Sequence, residues 1–281
     1  MTKPIITGCI IISGMLGFGT VRLLNASQEA RPAAIPAANN AGQQEKPSGF
    51  EKLRVEATKI QPGVMTEKQK EHSKLYKTDY YKIDNVGKKL VDRGKGIHDV
   101  RVVLGPPIPN PSHYVFISPQ DFLHRLSCKS DAVVIVQVLD KKSQLTEGEA
   151  FLFSDYSVKV IELLKNNEKD SIDLDSVLTV TRPGGLVEIN GRIIQAIDAK
   201  YMEMRKDNEY LLFLSYIPTT KSYQAVDAKS SFDLQAEGGA SVDKLTSYPT
   251  PLDHREEFKN RDVFIAEVKN AVSLSCPSIS K

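Results

Sequence analysis

The side chains able to do chemistry are scattered along the chain. Histidines stand at positions 72, 98, 113, 124 and 254. No two of them have the i, i+4 or His-Glu-x-x-His spacing with which one helix presents a zinc pair. A metal site would have to gather ligands from distant segments, and the sequence predicts no metal and no cofactor. Gly87 to Gly94-Lys95-Gly96 has the wrong spacing for a phosphate loop and lacks a Ser or Thr after the lysine. Gly239-Ala-Ser241-Val-Asp243 falls short of a nucleophile elbow, whose last residue is glycine, and its Glu-Gly-Gly context reads as a loop.

The most site-like cluster is Arg182-Pro-Gly-Gly185. A turn there could offer the Gly184 and Gly185 N–H groups and the Arg182 guanidinium to an anion. Arg192, just past Asn190-Gly191, is expected at the same end. The competing reading is a rigid turn carrying a surface arginine. No residue is assigned a catalytic role. A hydrolase would need groups that meet only in three dimensions, and Asp131, Asp155, His124 and Ser154 are of the type required. Cys128 follows one expected helix and Cys276 another, so the two could pair in an oxidising compartment. Two separate buried thiols are the alternative.

These residues sit in a chain of 281 residues with 41% hydrophobic and 26% charged side chains, 37 of them basic and 35 acidic. That balance excludes a wholly disordered polymer, a multi-span membrane protein and a nucleic-acid binder working by bulk positive charge. After Lys3, Pro4 to Val21 carry no charge and Arg22 closes the run. As a helix, such a run reaches ~27 Å, close to the hydrocarbon thickness of a bilayer. Residues 1–24 therefore read as a signal anchor or as a signal peptide cut near Leu24-Asn25-Ala26, and the protein as exported. It would face the periplasm or cell exterior if anchored, and be secreted if the segment is cleaved. Residues 25–49, rich in Ala, Pro, Gln and Asn, read as a flexible linker.

Residues 50–101 hold 13 basic and 8 acidic side chains. Thr66 with Gln69 makes a capping box, and Leu75, Tyr76, Tyr80, Ile83, Val86 and Leu90 follow at helical steps, which predicts an amphipathic helix ending near Gly94. With the polyproline-like stretch Gly105–Pro111, residues 50–111 read as a basic helical arm and connector. From 112 to 281 the pattern turns to strands. Ala132–Leu139 is apolar on both faces, Glu149–Leu164 alternates, Ser176–Thr181 is β-branched, and Leu186–Ile197 is a hairpin about Asn190-Gly191. A partly helical connection, Asp198–Lys206, leads to strands Glu209–Ile217 and Ser222–Val226. A short helix opens at Ser118-Pro119, and Asp253 with Glu256 is expected to cap a last helix bearing Phe258, Ile265, Val268 and Val272. The expected fold is mainly β, α+β overall: a small OB-like antiparallel barrel with flanking helices. A β-sandwich is the alternative.

The runs Leu126–Ile135, Asp155–Lys165, Thr181-Arg-Pro-Gly-Gly185 and Tyr210–Leu214 together resemble a group of uncharacterised exported bacterial proteins. These share the pattern ADAVV, then YxVxVxEVLK, then PGG, then YLLFL. The resemblance implies an extracytoplasmic β domain and carries no catalytic residues. Val136-Gln137 stands where that pattern has a glycine, which leaves a bulge there open. At fold level the strand order is similar to tissue-inhibitor and netrin-like modules. The functional expectation is a binding or interaction module of the cell envelope, held to the membrane by its N-terminal segment and taking an envelope protein or an anionic ligand. A hydrolase and a structural envelope component are the alternatives.

Overall fold

A strand made of Ala132–Val138 carries apolar residues on both faces and needs cover on both. The computed structural model describes residues 49–77, 100–104, 117–236, 241–246, 249–253 and 255–277, and it places cover on each side. The N-terminal apolar segment, the linker as far as residue 48, the Pro-rich connector and most of the helix expected to end near Gly94 lie outside the described residues. So do His98, His113 and His254. No helix among the described residues is long and apolar enough to cross a membrane.

The core is built on β3 (Ala132–Leu145), β4 (Leu152–Lys165), β5 (Val177–Pro183), β8 (Glu209–Ile217) and β9 (Ser222–Ala225). Their hydrogen-bonded pairings run β3–β4–β5–β9–β8 and return to β3. Four of the five pairings are antiparallel. The β5–β9 seam is parallel and only two residue pairs long, Val180↔Tyr223 and Thr181↔Gln224. The fold is thus mainly β with an OB-like strand ring, as the strand pattern predicts. Ala132, Val134, Val136, Val138, Tyr156, Val158, Tyr210 and Leu212 fill its interior. Two 14-residue strands can curl this far because their ladder slips between Val133/Val134, Ile135/Val136 and Val138/Asp140, each slip adding local bend and twist. Residues 136–137 lie among these irregularities without a glycine.

Outside the ring, Val133, Ile135, Leu211 and Phe213 meet α3 (Pro119–Lys129) and α4 (Arg261–Ser273) through Leu123, Leu126, Phe264 and Val268. Ser118 caps α3 through Asp121 N–H. Cys128, in the last turn of α3, is bonded to Cys276, just past α4; their Cα atoms are 5.5 Å apart and 148 positions separate them. Closing so long a loop stabilises the fold by ~4–5 kcal/mol in the chain-entropy picture. Beyond β8 the ladder continues through β10 (Ser231–Ala236) to an edge strand, β11 (Ser241–Lys244).

A second, four-stranded sheet has the order β1–β6–β7–β2. β6 (Gly185–Ile189) and β7 (Arg192–Asp198) form the expected hairpin, with positive φ at Asn190 (52°) and Gly191 (77°). β1 (Thr58–Lys59) and β2 (Val100–Leu104) add to it in parallel. Val102, Val187, Ile189 and Ile194 face Leu145, Phe151 and Leu152 of the main body. Pro183-Gly184-Gly185 is where the chain passes from one sheet to the other. A Cβ on Gly185 would lie 2.6 Å from Ser154 Oγ and 2.7 Å from Ser143 Oγ, and these hydroxyls bond each other at 2.8 Å.

Several expectations are corrected. The described parts of residues 49–104 do not stand apart as an arm: they supply α1 (Gly49–Glu56), two strands of the second sheet and α2 (Glu67–Lys74), which docks on the strand ring. The Thr66–Gln69 capping box is present, but α2 ends at a Leu75 cap. The apolar residues Leu75 and Tyr76 turn inward instead of continuing the helix, and Tyr76 stacks on Phe153 at 5.7 Å. Asp198–Lys206 holds a turn and an Asp198↔Tyr201 bridge, with no helix. Glu256–Lys259 is only a 3-10 turn, and Asn260, not Asp253, caps the last helix; Asp253 serves Thr250 and Lys244. Ser241 opens a strand rather than lying in a loop.

Two measurements check this account. Gly185→Ala should lower the unfolding free energy by about 2–4 kcal/mol, read from the urea midpoint, because two buried serines must move. Acid sensitivity is the second. Burial raises the Asp131 carboxyl, but the Lys169 ammonium at 2.7 Å and Tyr216 N–H at 2.8 Å together hold it below its ordinary value. Its contribution is therefore complete above the unfolded carboxyl range near 4 and disappears as pH falls through the lower folded value. Asp131→Asn should be less stable than wild type at neutral pH, and the two should converge in acid.

Candidate functional site

The ring's outer face along β4, β5 and β9 brings Asp155, Thr181 and Gln224 into one row, paired across the strands. Here α2 covers it. Glu67–Lys74 is short and polar, and only its His72 and Ser73 are buried. His72 is fully buried, and its Nδ1 lies 2.8 Å from Asp155 Oδ1. Its Nε2 lies 2.7 Å from Ser222 Oγ and 3.0 Å from Thr220 Oγ1, and the two hydroxyls are 2.6 Å apart. With Asp155 ionised, Nδ1–H donates to the carboxylate and Nε2 accepts from Ser222 O–H.

That order, carboxylate to imidazole to hydroxyl, is the connectivity of an acyl-transfer triad. Its surroundings differ from those of a working one. Ser222 and His72 are both 0% exposed, so no acyl group can reach the hydroxyl while α2 is seated. A cavity of about 130 Å³ opens beside α2, walled by Leu75, Tyr76, Thr181, Pro183, Tyr201, Gln224 and Ala225; no triad-like residue lines it. Neighbouring contacts fasten the helix. Lys68 Nζ donates to Thr179 Oγ1 at 2.9 Å, Tyr76 Oη meets Thr181 Oγ1 at 3.2 Å, and Glu147 N–H donates to Ser73 Oγ at 2.7 Å.

Arg182 follows the strand alternation: Val180 faces in, Thr181 out, Arg182 in. It is among the largest fully buried side chains of the chain, not a surface arginine. One NH group donates to Ser231 Oγ at 2.8 Å and the other to Met202 O at 3.1 Å, while Nε makes no hydrogen bond. Tyr201 lies under the guanidinium, its ring centre 5.6 Å away. Burial lowers the Arg182 pKa and raises those of Tyr76, Tyr156 and Tyr201 around it, with Tyr210 pushed up to about 12. The cation is therefore held among neutral phenols and carbonyl dipoles.

The expected anion cluster is not assembled. Gly184 N–H is already used by Leu152 O at 2.8 Å, Gly185 is packed against two serines, and Arg192 lies at the far tip of the β6–β7 hairpin. Of the residues singled out for hydrolysis, Asp155 joins His72. Ser154 instead donates to Gly184 O, Asp131 anchors Tyr216 and Lys169, and His124 sits on α3. The sequence reading missed His72, Ser222 and Thr220; a lone histidine on a polar helix carries no local signal. Among the described residues one group could hold a metal ion: donor atoms of His124, Cys128 and Cys276 lie within 4.8 Å of one another. Compared with protein-family models, the chain matches none, and a search of curated proteins finds no match.

His72 is thus a buried clasp between α2 and the ring. His72→Ala should cost about 2–4 kcal/mol, since it strands a carboxylate and a hydroxyl, and Ser222→Ala about 1 kcal/mol. Urea midpoints test both values, and limited proteolysis within residues 57–77 should accelerate in the first variant. A His72→Ala change below about 0.5 kcal/mol would remove the clasp.

Proposed function

We propose that this chain is an extracytoplasmic binding module of the cell envelope, held to the membrane by residues 1–24, rather than an enzyme. The observation that carries the reading is the Cys128–Cys276 bond. Disulfides of this structural kind form and persist in oxidising compartments, and the uncharged run Pro4–Val21 supplies a route to one. The resemblance of residues 120–230 to exported bacterial proteins agrees with it. Binding is favoured over hydrolysis because the triad-like residues are sealed by a helix of the same chain.

A surface suited to a partner lies at the other edge, between β10–β11 and the turn before α4. A half-open groove of about 250 Å³ there has Phe232, Phe258 and Phe264 in its floor and Lys244, Arg255 and Lys259 at its rim. The lysines and arginine pair with Asp253, Glu257 and Glu256 respectively for Lys244, Arg255 and Lys259. An apolar group flanked by an acidic one, from an envelope protein or an anionic small molecule, would exchange the exposed Arg255–Glu257 and Lys259–Glu256 pairs for its own. Such pairs cost little to break.

The reading is tested in the native host. Thiol-blocking reagent added before lysis should leave Cys128 and Cys276 unlabelled, and protease applied to the outer side of the sealed inner membrane should digest the β domain. Both cysteines labelled, with the domain protected, would overturn it. A second reading, a serine hydrolase, is favoured only by the Asp155–His72–Ser222 connectivity. A fluorophosphonate should not label the native chain; labelling at residue 222 that is lost in Ser222→Ala would establish the hydrolase instead.

A further inference from the structure

The buried nitrogen of His124 is unexplained by the fold. His124 and Cys128 are four positions apart on α3, so they share one face of the helix. Cys276, beyond the end of α4, meets them there, and the three donor atoms lie within 4.8 Å of one another. His124 Nε2 is buried and makes no hydrogen bond, although buried polar groups are as a rule paired. Cys276 is exposed, which gives both a reductant and an ion access to the sulfurs.

From these positions we infer that the reduced chain carries a thiophilic metal site made of His124 Nε2, Cys128 Sγ and Cys276 Sγ. A disulfide offers no thiolate, so the bonded form is closed to metal. A dithiol reductant supplies two electrons and two protons, the S–S bond breaks, and two thiols form while the reductant becomes a disulfide. On binding, each thiol loses its proton and the ion takes two thiolates and one imidazole. In a tetrahedral Zn²⁺ site with Zn–S near 2.3 Å and Zn–N near 2.0 Å, donors sit about 3.3–3.8 Å apart. The sulfurs must therefore separate, and the imidazole must approach by up to roughly 1.5 Å. Two sulfurs and one nitrogen suit Zn²⁺ or Cu⁺ rather than Mg²⁺ or Ca²⁺, and three protein ligands leave one position open. The site makes the junction of α3 and α4 interchangeable between a covalent bond and a metal bridge.

The test uses the full chain bearing Cys9→Ser, so that only the two sulfurs of the site remain. After phosphine reduction and anaerobic removal of the reductant, it is titrated with Co²⁺. One Co²⁺ per chain is expected, with sulfur-to-cobalt charge-transfer absorption, displacement by Zn²⁺ and a raised melting temperature. The oxidised chain should bind none. His124→Ala in the same background, shown to be folded by circular dichroism while oxidised, should bind at least about tenfold more weakly once reduced. Absence of the charge-transfer band overturns the inference. So does a band of equal affinity in His124→Ala, or in the chain denatured by urea. Should reduction alone unfold the protein, Co²⁺ must restore its circular dichroism, and failure to do so overturns the inference as well.

Discussion

Two strands that are apolar on both faces impose the architecture. β3 and β8 lie side by side, with Val134 and Leu212 on one face and Ile135 and Leu211 on the other. Neither face can be left in water, since each buried aliphatic side chain contributes roughly 1.5–3 kcal/mol. One face is covered by curling the sheet until it meets itself through β9. The other is covered by α3, which directly precedes β3 in the chain, and α4, which follows β11. The disulfide joins these two helices at their ends, so the cover over β3 and β8 is held together by a covalent link as well as by packing.

Closing the sheet leaves polar groups to be satisfied inside it and on its covered outer face. Arg182 faces inward because strand alternation admits no other direction between Val180 and the chain's exit at Pro183. Its charge is met by a hydroxyl, a carbonyl and an aromatic ring rather than by a carboxylate, an arrangement that stays charged only because arginine's intrinsic pKa is so high. On the outer face, the β5–β9 seam has just two residue pairs. His72 binds Asp155 on β4 and Ser222 on β9, spanning that seam from outside. A histidine–carboxylate–hydroxyl chain can thus act as a fastener, and its connectivity alone does not make it catalytic. Accessibility of the hydroxyl decides between the two roles.

Much of this was legible in the sequence, and the reasons it was or was not are physical. Continuous apolar runs, the Asn190-Gly191 turn, the Ser118 and Thr66 caps and the Cys128–Cys276 pairing are local or compositional signals, and the structure carries each of them. The OB-like order followed from strand succession. What was missed depends on distance along the chain: His72 meets residues 83 and 150 positions away, and nothing within α2 marks it. Arg182 was placed at the surface because its turn-like neighbours Pro183, Gly184 and Gly185 outweighed the alternation of β5, which would have turned it inward. β1, β2 and β11 are two to five residues long and pair along existing edges, so periodicity is too short there to be read. Within the described residues the chain leaves the helix at the Leu75 cap, and Tyr76 stacks on Phe153.

The clasp also sets an order of events during synthesis. The segment carrying His72 leaves the ribosome, and under the export reading crosses the membrane, well before the strand it must grip. Its hydroxyl partner is 150 residues further along the chain. Until that length has emerged, α2 is too short and too polar to be stable as an isolated helix. The first piece delivered is therefore among the last to settle, and a nascent chain stalled before Ser222 would leave its leading residues open to proteases and chaperones.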